Sequence, residues 1–252
     1  MKASLLDGIR EKIKRANEHI RNLDAEITPY LEGADHTLTA TVKFDASRGS
    51  LFRDWLISGS PFPQRFSVII GEVIHQLRSS LDHLVWQLVI AHGTEKTTDD
   101  LEFPIFWESS KYPAAARRKI KGVSPTAAKR IEGLQPYNAG GHIDDHPLLI
   151  IHKFDIVDKH QLLILVAGEL KVWGDDITKI MWKPSPGELD KVITSRLTRT
   201  PSAHADANYQ LAFDIAFDTF GSRRGEAVIP SLQQLTDFVS GVIDSFSSEF
   251  KV

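Results

Sequence analysis

The segment Gly71–His92, GEVIHQLRSSLDHLVWQLVIAH, constrains the fold more than any other stretch of the chain. With Val68 and Ile69 ahead of it, Val73, Ile74, Leu77, Leu81, Leu84, Val85, Leu88 and Val89 recur at three- and four-residue steps, the spacing of an amphipathic helix. So broad an apolar face belongs to a helix at the centre of a core. Its polar residues are equally ordered. Glu72, His75, Ser79, Asp82 and Trp86 line one stripe, flanked by Arg78 and His83. Asp82 lies four residues after Arg78 and can pair with it. Such pairs often merely decorate a solvated surface. On a helix this apolar, however, the stripe is expected to face another element or a partner subunit, and Trp86 points the same way. Arg78, Asp82 and His83 are therefore the leading candidate site.

The remaining chain supplies the frame. Leu5, Ile9, Ile13, Ala16, Ile20, Leu23 and Ile27 predict a helix over 4–29, broken by the stretch from Pro29 to Asp35. Leu38–Phe44 and Leu51–Ile57 read as a β-hairpin, stopped by PFPQ at 61–64. After the run FPIFW, short helices are expected near 111–121 and 124–134, with Ser124 as cap and Pro125 at the first helical position. Gln135–Pro147 reads as a polar loop and Leu148–Leu165 as another helix. From Val166 to about Phe220, the Val/Ile/Thr/Trp runs LKVW, ITKIMW and NYQLAFDIAF read as strands. Pro230–Phe250 closes the chain as a helix. This order predicts an α+β fold, not alternating βαβ units. It would form a single domain over 1–252: a core of long amphipathic helices (about 1–165 and 230–250), an N-terminal β-hairpin, and a C-terminal antiparallel sheet (about 166–225) with the terminal helix.

Composition narrows the function classes. The net charge of −3 over 252 residues rules out a blanket affinity for nucleic acid, so RNA contact would need a local basic patch. Zero cysteines exclude disulfides, thiolate metal sites and cysteine nucleophiles. No apolar stretch approaches the roughly 18–20 residues that span a bilayer, and the charged start MKASLLDGIREKIKRANEH has no signal-peptide core. A soluble cytoplasmic protein with no membrane partner is expected.

Three further clusters carry candidate chemistry. His152, Asp155 and Lys159 share one helix face, followed by the Asp158-Lys159-His160 run. Asp155 and Lys159 can form a simple pair. If this helix packs on Gly71–His92, Lys159 or His160 could join Arg78 and His83 at one cleft. His142, Asp144, Asp145 and His146 have metal-ligand chemistry that Glu72, His75 and Asp82 could complete. Their spacing matches no compact motif, so no metal or other cofactor is assigned. Arg117, Arg118 and Lys119 lead a basic cluster within Lys111–Lys129, which is either a solvated face or an RNA-binding surface bordering the candidate site. No phosphate-binding glycine loop and no Gly-x-Ser-x-Gly elbow is present.

Arg78-Ser-Ser-Leu-Asp-His83 resembles the arginine, four to six residues, histidine signature of the HEPN superfamily of helical ribonucleases and toxin-like proteins. The position after the arginine, often Asn, Asp or His in that family, is Ser79 here. The stretch IIGEVIHQLRSSLDHLVWQL also resembles a group of uncharacterised bacterial proteins, together with segments at 103–106, 131–137 and 158–163. The HEPN resemblance implies a homodimer in which Arg and His from two subunits meet and cut RNA without a metal. The 2′-hydroxyl attacks the adjacent phosphate, His83 moves a proton, and Arg78 stabilises the developing charge. A toxin–antitoxin or phage-defence setting, with an antitoxin-like partner, is implied by the resemblance alone. The competing expectations are a non-catalytic interaction module with a buried Arg/Asp/His network, and a metal-dependent hydrolase using the His/Asp cluster.

Overall fold

The computed structural model describes residues 5–33, 62–93, 100–160 and 226–250, together with the backbone of seven strand segments and the side chain of Phe217. The first helix, α1 (Asp7–Gly33), runs straight through Pro29, where the sequence pattern suggested a break. Proline in a helix interior costs about 3 kcal/mol. Here the last turn recovers that cost by packing. Leu31 is fully buried, and the Tyr30 ring meets Phe66 edge-on at 5.6 Å.

The central helix α2 (Gln64–Ala91) begins directly after Pro63 and packs against α1. Two short helices follow, α3 (Tyr112–Lys119) and α4 (Pro125–Gly133). Ser124 caps α4 by accepting from the Ala127 amide. Pro136–Asp145 forms 3₁₀ turns instead of an open loop. Then come α5 (Pro147–His160), whose expected continuation over 161–164 lies outside the described residues while Leu165 opens a strand, and α6 (Val228–Ser245), which is extended by a 3₁₀ turn at Ser247–Phe250. Helix α2 touches α1, α5 and α6. Its Val73, Ile74, Leu77, Leu81, Leu84, Val85 and Val89 have no exposed surface, so it is the axis of the core.

The α+β expectation is overturned: of the residues described with their side chains, 82% are helical. The described core draws on the helices, on Phe103 and Ile105 between α2 and α3, and on Phe217. Six helices bury one another's apolar faces, so the core has no need of a sheet as a second layer. The described strands pair in short antiparallel ladders. β1 (Thr37–Asp45) pairs antiparallel with β2 (Ser50–Ser58), and Thr37–Thr41 of β1 with β5 (Val192–Arg196). Two short ladders join β3 (Leu165–Ala167) to β7 (Ile215–Phe217) and β4 (Lys171–Gly174) to β6 (Tyr209–Ala212). The ITKIMW run lies outside the described residues. Among the described residues, no helix is long and apolar enough to cross a membrane.

Candidate functional site

Arg78 and Asp82 sit one turn apart on α2, on the side facing the extended segment 101–106. Arg78 is 8% exposed. Both its terminal nitrogens donate to the Phe103 carbonyl at 3.1 Å, and Nη2 also lies 3.0 Å from Asp82 Oδ1. Asp82 Oδ1 accepts the Phe103 amide at 2.8 Å. One i,i+4 pair thus satisfies both backbone polar groups of a single buried residue, where an unmet partner would be costly. Burial pushes the Asp82 carboxyl up, although the Arg78 charge and the Phe103 amide pull it down.

The same segment is held from its other side. Gln135, 1% exposed, donates through Nε2 to the carbonyls of Pro104 (2.9 Å) and Ile131 (3.0 Å), and its Oε1 accepts the Phe106 amide at 2.9 Å. Lys119 of α3 pairs with Glu102, whose Oε2 is 3.9 Å from Arg78. Burial, then the Arg78 charge, lowers the Lys119 pKa. The clamped segment therefore joins α2, α3 and the end of α4.

Helix α5 adds a second polar layer. Asp155 is 4% exposed, with Lys159 Nζ at 2.6 Å and His75 Nδ1 of α2 at 3.9 Å. His152, half-buried, lies against the Trp107 ring with centroids 6.3 Å apart. Burial lowers its pKa, helped by the charges of Arg78, Lys119 and Lys159 and opposed by Asp155. Burial raises Asp158, and the Asp155 charge adds to this. A Cβ at Gly71 would collide with the Asp158 carboxylate, so this glycine permits the close approach of α5 to α2.

The sequence-derived candidates are therefore only partly brought together. Arg78, Asp82 and Lys159 fall within one electrostatic neighbourhood. His83 feels the Asp82 charge but stands apart from Arg78. Five residues from Arg78, it is turned about 140° around the helix, exposed, and its pKa is lowered by burial and then by Lys12 of α1. His160 is exposed on the last turn of α5. Arg117 and Arg118 are exposed on α3, with Arg118 3.7 Å from Asp100. Lys119 is spent on Glu102.

The metal-ligand candidates are scattered. His142 lies 3.8 Å from Asp145 in the open, Asp144 holds Lys153 at 3.1 Å, and His146 accepts the Leu148 amide. Among the described residues, no group of three His, Asp or Glu side chains is placed to hold a metal ion. Gln135 and Trp107 carry roles that sequence reasoning missed. The i, i+3, i+7 spacing of His152, Asp155 and Lys159 was the one available signal for the α5 layer. Comparison with known proteins adds no relative: no family model, curated protein or solved structure matches the chain.

Proposed function

We propose that the protein is a helical interaction module in which Arg78 and Asp82 act as a structural lock and the outward face of α2 is the working surface. The observation that carries this reading is the internal use of Arg78. Its two terminal nitrogens go to Phe103 O and Asp82, and a guanidinium committed to such acceptors is a poor receptor for a phosphate. The polar groups most available to a partner are those on the opposite edge of the α2 stripe, including His83. A cytoplasmic setting belongs to the same proposal.

A metal-independent endoribonuclease of HEPN type is the second reading, and one observation favours it. Lys119 ties α3, the carrier of Arg117 and Arg118, to the segment gripped by Arg78, so a basic surface borders the lock. His83, its pKa lowered, would stand neutral at pH 7 and could accept a proton. A toxin or phage-defence role with an antitoxin-like partner goes with this reading. Incubation of the protein with single-stranded RNA in EDTA separates the two. The module leaves RNA intact in wild type and in His83→Ala alike. Cleavage by wild type that disappears in a normally folded His83→Ala would establish the ribonuclease instead.

A further inference from the structure

Away from α2, helices α1 and α6 pack side by side with matching polar rows. Along α1, Arg10, Lys14, Asn17 and Arg21 recur at steps of four, three and four residues, so they share one face. Along α6, Gln233, Asp237, Ser240 and Asp244 repeat the same steps. The rows run antiparallel. Gln233 Nε2 donates to Asn17 Oδ1 at 3.4 Å, and seven residues back along α1, Arg10 lies 3.8 Å from Asp244. Between them is a groove of about 370 Å³ floored by the buried Ile13 and Ile243. Its two walls carry opposite charge. The α1 wall has three exposed cations, and the α6 wall has the exposed carboxylates of Asp237 and Asp244. These charges are loosely engaged within the chain. Arg10–Asp244 is long, and Lys14–Glu11 at 3.4 Å is an exposed i,i+3 pair, so neither holds its cation firmly. Arg21 has no acidic partner among the described residues.

We infer that this groove docks an amphipathic helix of a partner protein, with carboxylates along the edge facing α1 and lysine or arginine along the edge facing α6. From Arg10 to Arg21 the cationic row is about 16 Å long, three helical turns. A helix laid along the groove presents its side chains at the same three- and four-residue steps, so its carboxylates meet the α1 cations in register. Its apolar residues between the two edges reach Ile13 and Ile243. A nucleic acid fits less well. Its phosphates would face Asp237 and Asp244, and none of the described residues lining the groove is an aromatic ring on which a base could stack. The surface is distinct from the outward α2 face. His19, which contacts Glu72 of α2, lies about 180° around α1 from Arg10.

The probe is a synthetic helical peptide of about five turns, with Glu at steps of four and seven residues along one edge, Lys along the other and Leu between. Carrying a fluorophore, it should show rising anisotropy as the protein is titrated in at physiological salt. Arg21→Glu should weaken binding by at least about tenfold at unchanged melting temperature, because Arg21 is exposed. Arg117→Glu, on α3, should leave binding as it is. Among peptides with a single Glu replaced by Lys, one should bind Arg21→Glu more tightly than wild type, a reversal that general damage to the fold would not produce. Failure of the peptide to bind, or binding that Arg21→Glu leaves intact, overturns the inference. So does Arg21-dependent binding of a single-stranded RNA oligonucleotide where the peptide does not bind, which would make the groove a nucleic-acid surface. Light scattering supplies the last outcome: a wild-type dimer that Arg21→Glu dissociates would make the occupant a second copy and overturn the inference. The RNA cleavage assay in EDTA decides the reading of the α2 face separately.

Discussion

Asp82 accepts the amide of Phe103 at 2.8 Å, tying an extended segment 21 residues downstream to the central helix. Arg78 takes the carbonyl of the same residue, so the two side chains together do for Phe103 what a neighbouring strand would do. Removing either partner strands the other in a largely buried place. Arg78→Ala is expected to cost about 3 kcal/mol, in the range for breaking a buried charged pair. For a chain this long, that corresponds to a melting temperature lower by roughly 6–12 °C. His83→Ala should shift it by less than about 2 °C, as surface substitutions do. Calorimetry on the two variants makes the comparison.

Gln135 offers an independent test of the clamp. Gln135→Leu fills a similar volume but leaves the Pro104 carbonyl and the Phe106 amide without partners. A loss of roughly 2–4 kcal/mol is expected from the stranded groups, read as a lower urea midpoint at unchanged slope. An effect near zero would mean that water takes over both bonds.

The glycine at the α2–α5 contact gives a prediction about coupling. Alanine is the better helix former by about 1 kcal/mol, but at Gly71 its Cβ would displace the Asp158 carboxylate, so Gly71→Ala should gain less than that amount. With Asp158→Ala in the same chain, Gly71→Ala should recover the full gain. A double-mutant cycle of unfolding free energies measures this coupling.

Histidines set the acid limit. Burial lowers the pKa of His152, and likewise of His146 and His83, from the ordinary 6.5. The unfolded chain therefore takes up protons near pH 6.5 that the folded chain still refuses. Stability is complete above that pH and falls as pH drops from 6.5 toward the lowered values. His152→Gln should flatten this fall between pH 7 and 5.5, measured by urea midpoints at each pH. A fall of equal size in the variant would place the acid sensitivity elsewhere.

The central helix was legible because its apolar residues repeat at helical spacing over more than six turns, and the Arg78–Asp82 pair follows from a four-residue step. Its acceptor was not legible. A backbone carbonyl carries no sequence label, so nothing in FPIF marks Phe103 as the residue to be gripped. The separation of Arg78 from His83 is fixed by helix geometry, but which face would be covered depends on α1, α5 and the 101–106 segment. Trp86 was expected under cover, and within one chain it stands open. Pro29 was misleading for a similar reason: the burial of Leu31 outweighs the local preference of the chain to stop. The β-branched runs after Val166 predicted a sheet within the architecture, whereas the described core closes with helices.

Amide hydrogen exchange at Phe103 tests the lock most directly. The account predicts slow exchange of this amide in wild type and in His83→Ala, and a loss of protection of at least about tenfold, equivalent to 1.4 kcal/mol, in Arg78→Ala and Asp82→Ala. Rapid exchange at Phe103 in wild type, or protection that survives the loss of Arg78, would contradict it.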